Sequence, residues 1–194
     1  GASVAYGDGA SAGVIRITTI QPTGDAPPSG TATLSVGSFG TQDASVALKG
    51  GANGFGLALD ATEASTDGYR ERSGEDFGSA AATLSWTGQH VHTGVRFGTE
   101  SSDARLPGAL GLAEFNENPR QAVPTVNNRG DFSLFKRDFV TAFFRTNGLD
   151  RDYGLDLSQR DQRRSFKDGN PTGQREVIQD QFSGFVSDSL NVAG

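Results

Sequence analysis

From Thr31 onward the chain alternates apolar and polar residues with a period of two, broken at intervals by turn-forming residues. That pattern predicts strands with two unlike faces. Ala32, Leu34 and Val36 alternate with Thr31, Thr33 and Ser35, and Ala44, Val46 and Leu48 alternate with Asp43, Ser45, Ala47 and Lys49. The pair Asn53-Gly54 predicts a tight hairpin, since both residues tolerate positive φ. Phe55, Leu57, Leu59 and Ala61 then continue the apolar face, followed by Ala80, Ala82, Leu84 and Trp86, and by Val91, Val95 and Phe97. A second turn at Asn147-Gly148 leads into Tyr153, Leu155 and Leu157. Around Phe135–Phe144 and Phe182–Leu190 aromatic residues fall on both faces. By this count the chain holds about eight strands.

The connections have two lengths. Turns at Gly40-Thr41, Asn53-Gly54, Gly88-Gln89 and Asn147-Gly148 are short, while Asp67–Asp76, Ser101–Asp131 and Asp161–Gln174 read as long polar connections after every second strand. A soluble antiparallel sandwich also alternates apolar and polar positions. Two details favour a barrel in a membrane: the polar face is built from Gly, Ser, Thr, Asp, Lys and Arg, which suits a wet lumen, and short turns on one rim oppose long loops on the other. Upstream, Ile20–Gly30 carries three prolines and two glycines and reads as a linker.

Composition sharpens this picture. Only 35% of the 194 residues are hydrophobic, with 27 Gly and with 13 Phe against 1 Trp and 3 Tyr. A globular core of this length draws more on Leu, Ile and Val, whereas a membrane barrel needs apolar side chains only at alternate positions. No run approaches the roughly 18 apolar residues of a transmembrane helix. Cysteine is absent, which removes disulfides and thiolate metal sites. The formal net charge of −6 offers no basic footprint for nucleic acid. The chain opens inside a motif, with neither an initiator methionine nor a signal peptide, and is expected to be an internal piece of a longer protein.

That motif is Tyr6-Gly7, Ala10 and Gly13-Val14-Ile15-Arg16-Ile17, a small-residue run feeding a β-branched strand. It resembles the end of the plug domain of TonB-dependent outer-membrane receptors, with Ala12 standing where a second glycine is usual and Arg16 where asparagine is usual. Further along, Ser38-Phe39-Gly40-Thr41 is similar to the end of that family's first barrel strand, and Thr66-Asp67-Gly68-Tyr69-Arg70 to the outer end of its third. Arg105-Leu106-Pro107-Gly108 with Asn118-Pro119-Arg120-Gln121 resembles the long loop after the fifth strand, including that of receptors like the one for pyrroloquinoline quinone. The motifs cover residues 1 to about 125; beyond that only the strand pattern continues.

The resemblance implies an all-β fold: residues 1–19 as the C-terminal end of a plug, 20–30 as linker, and 31–194 as the N-terminal part of an antiparallel transmembrane β-barrel, about eight of its twenty-two strands. It also implies TonB-dependent uptake of a scarce ligand across the bacterial outer membrane, most often a ferric siderophore. Partners would be the chelate, the TonB complex through an N-terminal box absent from this chain, and outer-membrane lipid and lipopolysaccharide. Alternatives are a receptor of the same family for another ligand, such as pyrroloquinoline quinone, or a passive porin-like barrel. An isolated eight-strand piece with two unpaired edges is expected to aggregate or stay unfolded in detergent.

Nothing in the sequence selects a catalytic constellation, a metal centre or a cofactor. His90 and His92 lie two apart beside one turn, and two-histidine metal binding would need a third ligand. The more informative residues are arginines, whose planar forks suit carboxylate, catecholate, hydroxamate or phosphate groups. Arg70, Arg72, Arg105, Arg120, Arg163 and Arg164 are the candidate ligand contacts, all expected in extracellular loops, within a wider basic set that includes Arg129, Arg160 and Lys167. Phe77, Trp86, Phe97 and Phe144 are expected near the membrane boundaries, where aromatic girdles sit.

Overall fold

The computed structural model describes residues 22, 24–147, 151–167 and 175–190. The plug-like segment 1–19 lies outside them, as does most of the Asp161–Gln174 connection beyond Lys167. Eight antiparallel strands form one open sheet in sequential order: β1 Ser29–Val36, β2 Gln42–Ala52, β3 Phe55–Thr66, β4 Glu75–Thr87, β5 Val91–Arg105, β6 Phe132–Asn147, β7 Arg151–Lys167 and β8 Arg175–Leu190. β1 takes Ser29 and Gly30 from the expected linker.

Period-two alternation sorts the side chains as the sequence predicts. One face carries Leu57, Leu59, Leu84, Trp86, Phe97, Val140, Phe144, Leu155 and Leu157, each more than a third exposed. The other carries Thr83 and Ser85, which are buried, together with Asp60, Arg96, Glu100, Arg137, Arg145 and Asp156. Apolar side chains thus stand in the open on one face while hydroxyls pack on the other.

Ion pairs knit the polar face across strands. Arg96 reaches Asp60 at 3.2 Å and Thr83 at 3.3 Å, Arg137 pairs with Glu100, and Arg145 grips Asp156 with two bonds of 2.7 and 2.6 Å. A stripe of rings on β6 fills the space left by small residues on β5: Phe143 stands opposite Gly94 and Phe139 opposite Gly98. A Cβ at Gly94 would lie 2.5 Å from the Phe143 ring, so glycine is required by close approach.

The segment before β1 lies against this polar face. The Pro22 carbonyl accepts from Ser85 Oγ at 2.9 Å, the Gly24 carbonyl from Gly54 N–H at 3.1 Å, and the Ala26 carbonyl from Gly51 N–H at 2.9 Å. Gly54, at φ 82°, turns the β2–β3 hairpin, and the missing side chain of Gly24 lets that segment come close to the Gly54 backbone.

The apolar face is bounded obliquely. Its upper limit is Val36 on β1, Ala44 on β2, Ala61 on β3, Ala80 on β4, Phe97 on β5, Val140 on β6 and Leu157 on β7. Followed through the pairing, Val36 is in register with Ser165, so the limit has fallen eight residues by β7. Eight residues are about 27 Å of strand and six inter-strand steps about 29 Å, a slope of about 43°. The lower limit, from Gly30 on β1 to Tyr153 on β7, falls six residues in the same direction, a slope of about 35°.

Three expectations change. Ser101–Arg105 and Asp161–Lys167 are strand, not connection. Both are polar at every position on the side of the apolar band and continue the ladder past its limit, so hydrophobic alternation does not betray them. Phe77 shares the parity of Thr83 and Ser85, which puts it on the polar face; Phe97 lies at the upper limit of the apolar band, and Trp86 and Phe144 lie at its lower limit. The Gly37–Thr41 turn belongs to the rim of the long connections, so that rim is not uniformly long-looped.

Candidate ligand vestibule

Loops on the long rim fold onto one another. The β5–β6 connection forms two short helices, α1 Leu112–Glu117 and α2 Pro124–Arg129. Glu114 accepts from the Gly111 N–H at 2.8 Å at the start of α1, while Pro124 opens α2 and Gly130, at φ 66°, closes it. Ala122 and Val126 form a small buried centre beneath them, against Gly108.

Arg70 ties this loop to the β3–β4 loop. Its guanidinium donates to the Gln121 carbonyl at 3.1 and 2.9 Å and to the Gly108 carbonyl at 2.7 Å. Those donors are committed to main chain, which makes Arg70 a strut between loops. Arg72 sits at φ 56° with its Nε buried and without a hydrogen-bond partner among the described residues. Arg105 ends β5 and lines a hollow of about 260 Å³ with Asp67, Glu75, Asp76 and Asp103, carboxylates that oppose the approach of an anion.

Arg120 lies over two exposed rings, 5.6 Å from Phe39 and 5.6 Å from Tyr69, and donates from Nε to the Tyr69 carbonyl at 3.2 Å. Arg163 and Arg164 are adjacent in β7 and therefore point to opposite faces, neither in a loop. Arg163, on the face of the apolar band, stands 4.0 Å from Asp161. Arg164 is on the polar face, exposed, 5.7 Å from the Phe135 ring and with no ion pair among the described residues. The six candidate arginines thus do not converge on one place.

What does converge on the polar face, beyond the apolar limit at Val140, is a pair of arginines on one ring, with Arg96 lower down in register with Thr141. Arg164 and Arg137 both lie over Phe135, at 5.7 and 5.8 Å, while Arg96 lies over Phe139 at 5.9 Å. Arg137 pairs with Glu100, but its Nε is buried without a partner among the described residues. Arg96 and Arg137 are paired with Asp60 and Glu100, whereas Arg164 is held by the Phe135 ring without being neutralised, which suits it to a planar anion. Phe135, Arg137 and Arg96 escape a sequence-only search because Phe135-Lys136-Arg137-Asp138-Phe139 has no clean apolar face; the i, i+4 spacing of the phenylalanines was the available signal.

His92 is held by Thr87 Oγ1 at 2.9 Å from Nδ1, and among the described residues no group of three His, Asp or Glu side chains is placed to hold a metal ion. No protein-family model matches the chain, and no curated protein matches it.

Proposed function

We propose that this chain is the plug end and first strands of a TonB-dependent outer-membrane receptor, taking up a scarce anionic chelate, with a ferric siderophore as the default ligand. The observation that carries the membrane part is the slope of the apolar band. Strands in a transmembrane barrel tilt by about 35–45° from the membrane normal, so a flat hydrocarbon slab must cross the hydrogen-bond register at that angle. Slopes of about 43° and about 35° at the two limits match this tilt. A sandwich core has no reason to slip steadily in one direction across seven strands.

Phe55, Trp86, Phe144 and Tyr153 gather at the lower limit, at the position of an aromatic girdle beside the short turns. In this setting the polar face lines the lumen. Phe135, Arg137 and Arg164, past the upper limit, sit in the vestibule where an anionic ligand would first meet the wall.

Nitroxide labels on cysteines at Val36 and Ser165, in the full-length protein in vesicles, test the membrane seat. The two positions share a register, yet Val36 is expected to be accessible to oxygen in hydrocarbon and Ser165 to a water-soluble nickel chelate. Equal environments would refute the seat. Arg164→Ala is expected to reduce ferric-siderophore uptake by about tenfold, the loss of one charge-assisted contact, with folding unchanged. Unchanged uptake would remove Arg164 from the ligand path.

A further inference from the structure

The β2–β3 hairpin turns on two residues, Asn53 at φ 52° and Gly54 at φ 82°, with Ala52 in register with Phe55. In a two-residue turn of this kind the N–H of the second central residue has no acceptor within the hairpin and ordinarily faces water. Here the acceptor comes from outside. Gly54 N–H donates to the Gly24 carbonyl at 3.1 Å, and the Gly54 carbonyl accepts from Thr87 N–H at 2.8 Å, so the residue is held at both ends. Asn53 itself is exposed.

We propose that Asn53-Gly54 is a self-modification site, kept closed by the segment at Gly24. An asparagine followed by glycine can cyclise, because glycine has no side chain to hinder the approach of its nitrogen. The Gly54 nitrogen attacks Asn53 Cγ, the Cγ–Nδ2 bond breaks, and the Gly54 proton leaves with Nδ2 as ammonia. Water then opens the five-membered imide to aspartate or isoaspartate at position 53. No reagent but water is consumed. The nitrogen that must give up its proton is the one committed to the Gly24 carbonyl. The paired Ala52 and Phe55 on either side restrain the rotation that ring closure requires. The product adds a negative charge to the turn, and the isoaspartate form carries the main chain through Cγ, one atom longer, which shifts Gly54 N–H away from Gly24. Departure of the segment would thus leave a covalent, one-way mark on the hairpin. Neither lipid nor ligand enters this chemistry.

Gly24 provides the perturbation, because a Cβ there would collide with the Gly54 main chain and lift the segment from the turn. The full-length protein and its Gly24→Ala variant are aged in neutral buffer and digested, and the peptides spanning Asn53 and Asn147 are followed by mass spectrometry. Asn147-Gly148, the same dipeptide elsewhere in the chain, serves as the reference. Gly24→Ala is expected to raise the rate at Asn53 relative to Asn147 by about tenfold, the loss of one hydrogen bond. An unchanged ratio would overturn the proposal. Should the variant unfold, both sites would accelerate together, and hydrogen exchange of the Gly54 amide in the unaltered protein decides instead. Protection is expected there, and exchange at the free-peptide rate would overturn the lock.

Discussion

Leu84 and Leu134 stand on the same face of the sheet, and replacing each by arginine separates the membrane reading from every soluble one. On β4 the apolar band runs from Trp86 to Ala80, so Leu84 is near its middle. Leu134 is six residues past the limit at Val140, about 20 Å of strand or about 15 Å of height at the measured slope. An arginine near the midplane of a barrel wall costs about 2–4 kcal/mol and one outside the bilayer about 0–1 kcal/mol. Leu84→Arg is therefore expected to shift the folding equilibrium in vesicles by a factor of about 30 to 800, and Leu134→Arg by less than about fivefold. Exposure alone ranks them the other way, because Leu134 is 39% exposed and Leu84 51%. Urea titration of the protein in short-chain lipid vesicles, read by gel mobility before and after heating, measures both. Equal costs, or a larger cost at Leu134, would refute the oblique slab.

Three more outcomes follow from packing and hydrogen bonding. Gly94→Ala places a Cβ 2.3 Å from the Leu84 carbonyl oxygen and should lower stability by about 1–3 kcal/mol in the same titration; a neutral result would mean that β4 and β5 can part locally. Arg145→Ala strips the paired bonds from Asp156 and should cost about 1–2 kcal/mol after allowance for partial exposure, with Asp156→Asn milder, as thermal melts would register. Arg70→Ala should raise proteolytic nicking between Leu106 and Val123 by about tenfold while leaving the wall's unfolding midpoint unchanged; a lowered midpoint would instead make the loop strut part of the wall.

The sequence carried the strands best where lipid-type alternation is strongest. Phe55 to Ala61 and Ala80 to Trp86 can be read by eye, because one face is apolar at every second position. Asp161-Gln-Arg-Arg-Ser-Phe-Lys167 could not be, since one side is wholly polar and the other has a single apolar residue, Phe166, which leaves no periodic trace. The face of Phe77 was lost for a related reason: Phe77 follows Glu75 and Asp76, without an apolar neighbour to fix the parity. The loop helices at Leu112–Glu117 and Pro124–Arg129 are too short to show a helical period. For the candidate site, residue type pointed to arginine but could not tell a strut (Arg70) from a side chain with donors to spare (Arg164). That distinction depends on carbonyls of Gly108 and Gln121, roughly 40 to 50 positions away in the chain.

The contacts of Pro22, Gly24 and Ala26 also have a mechanical side. Tension applied to the chain ahead of Pro22 would reach the wall first at Ser85 Oγ, then at Gly54 N–H, then at Gly51 N–H, since those three bonds lie in sequence along the segment. Bonds loaded one after another give way like a zipper, at lower force than bonds sheared together. The tether would therefore peel from the β2–β3 corner in steps, leaving the hydrogen-bond ladders of the wall unstrained.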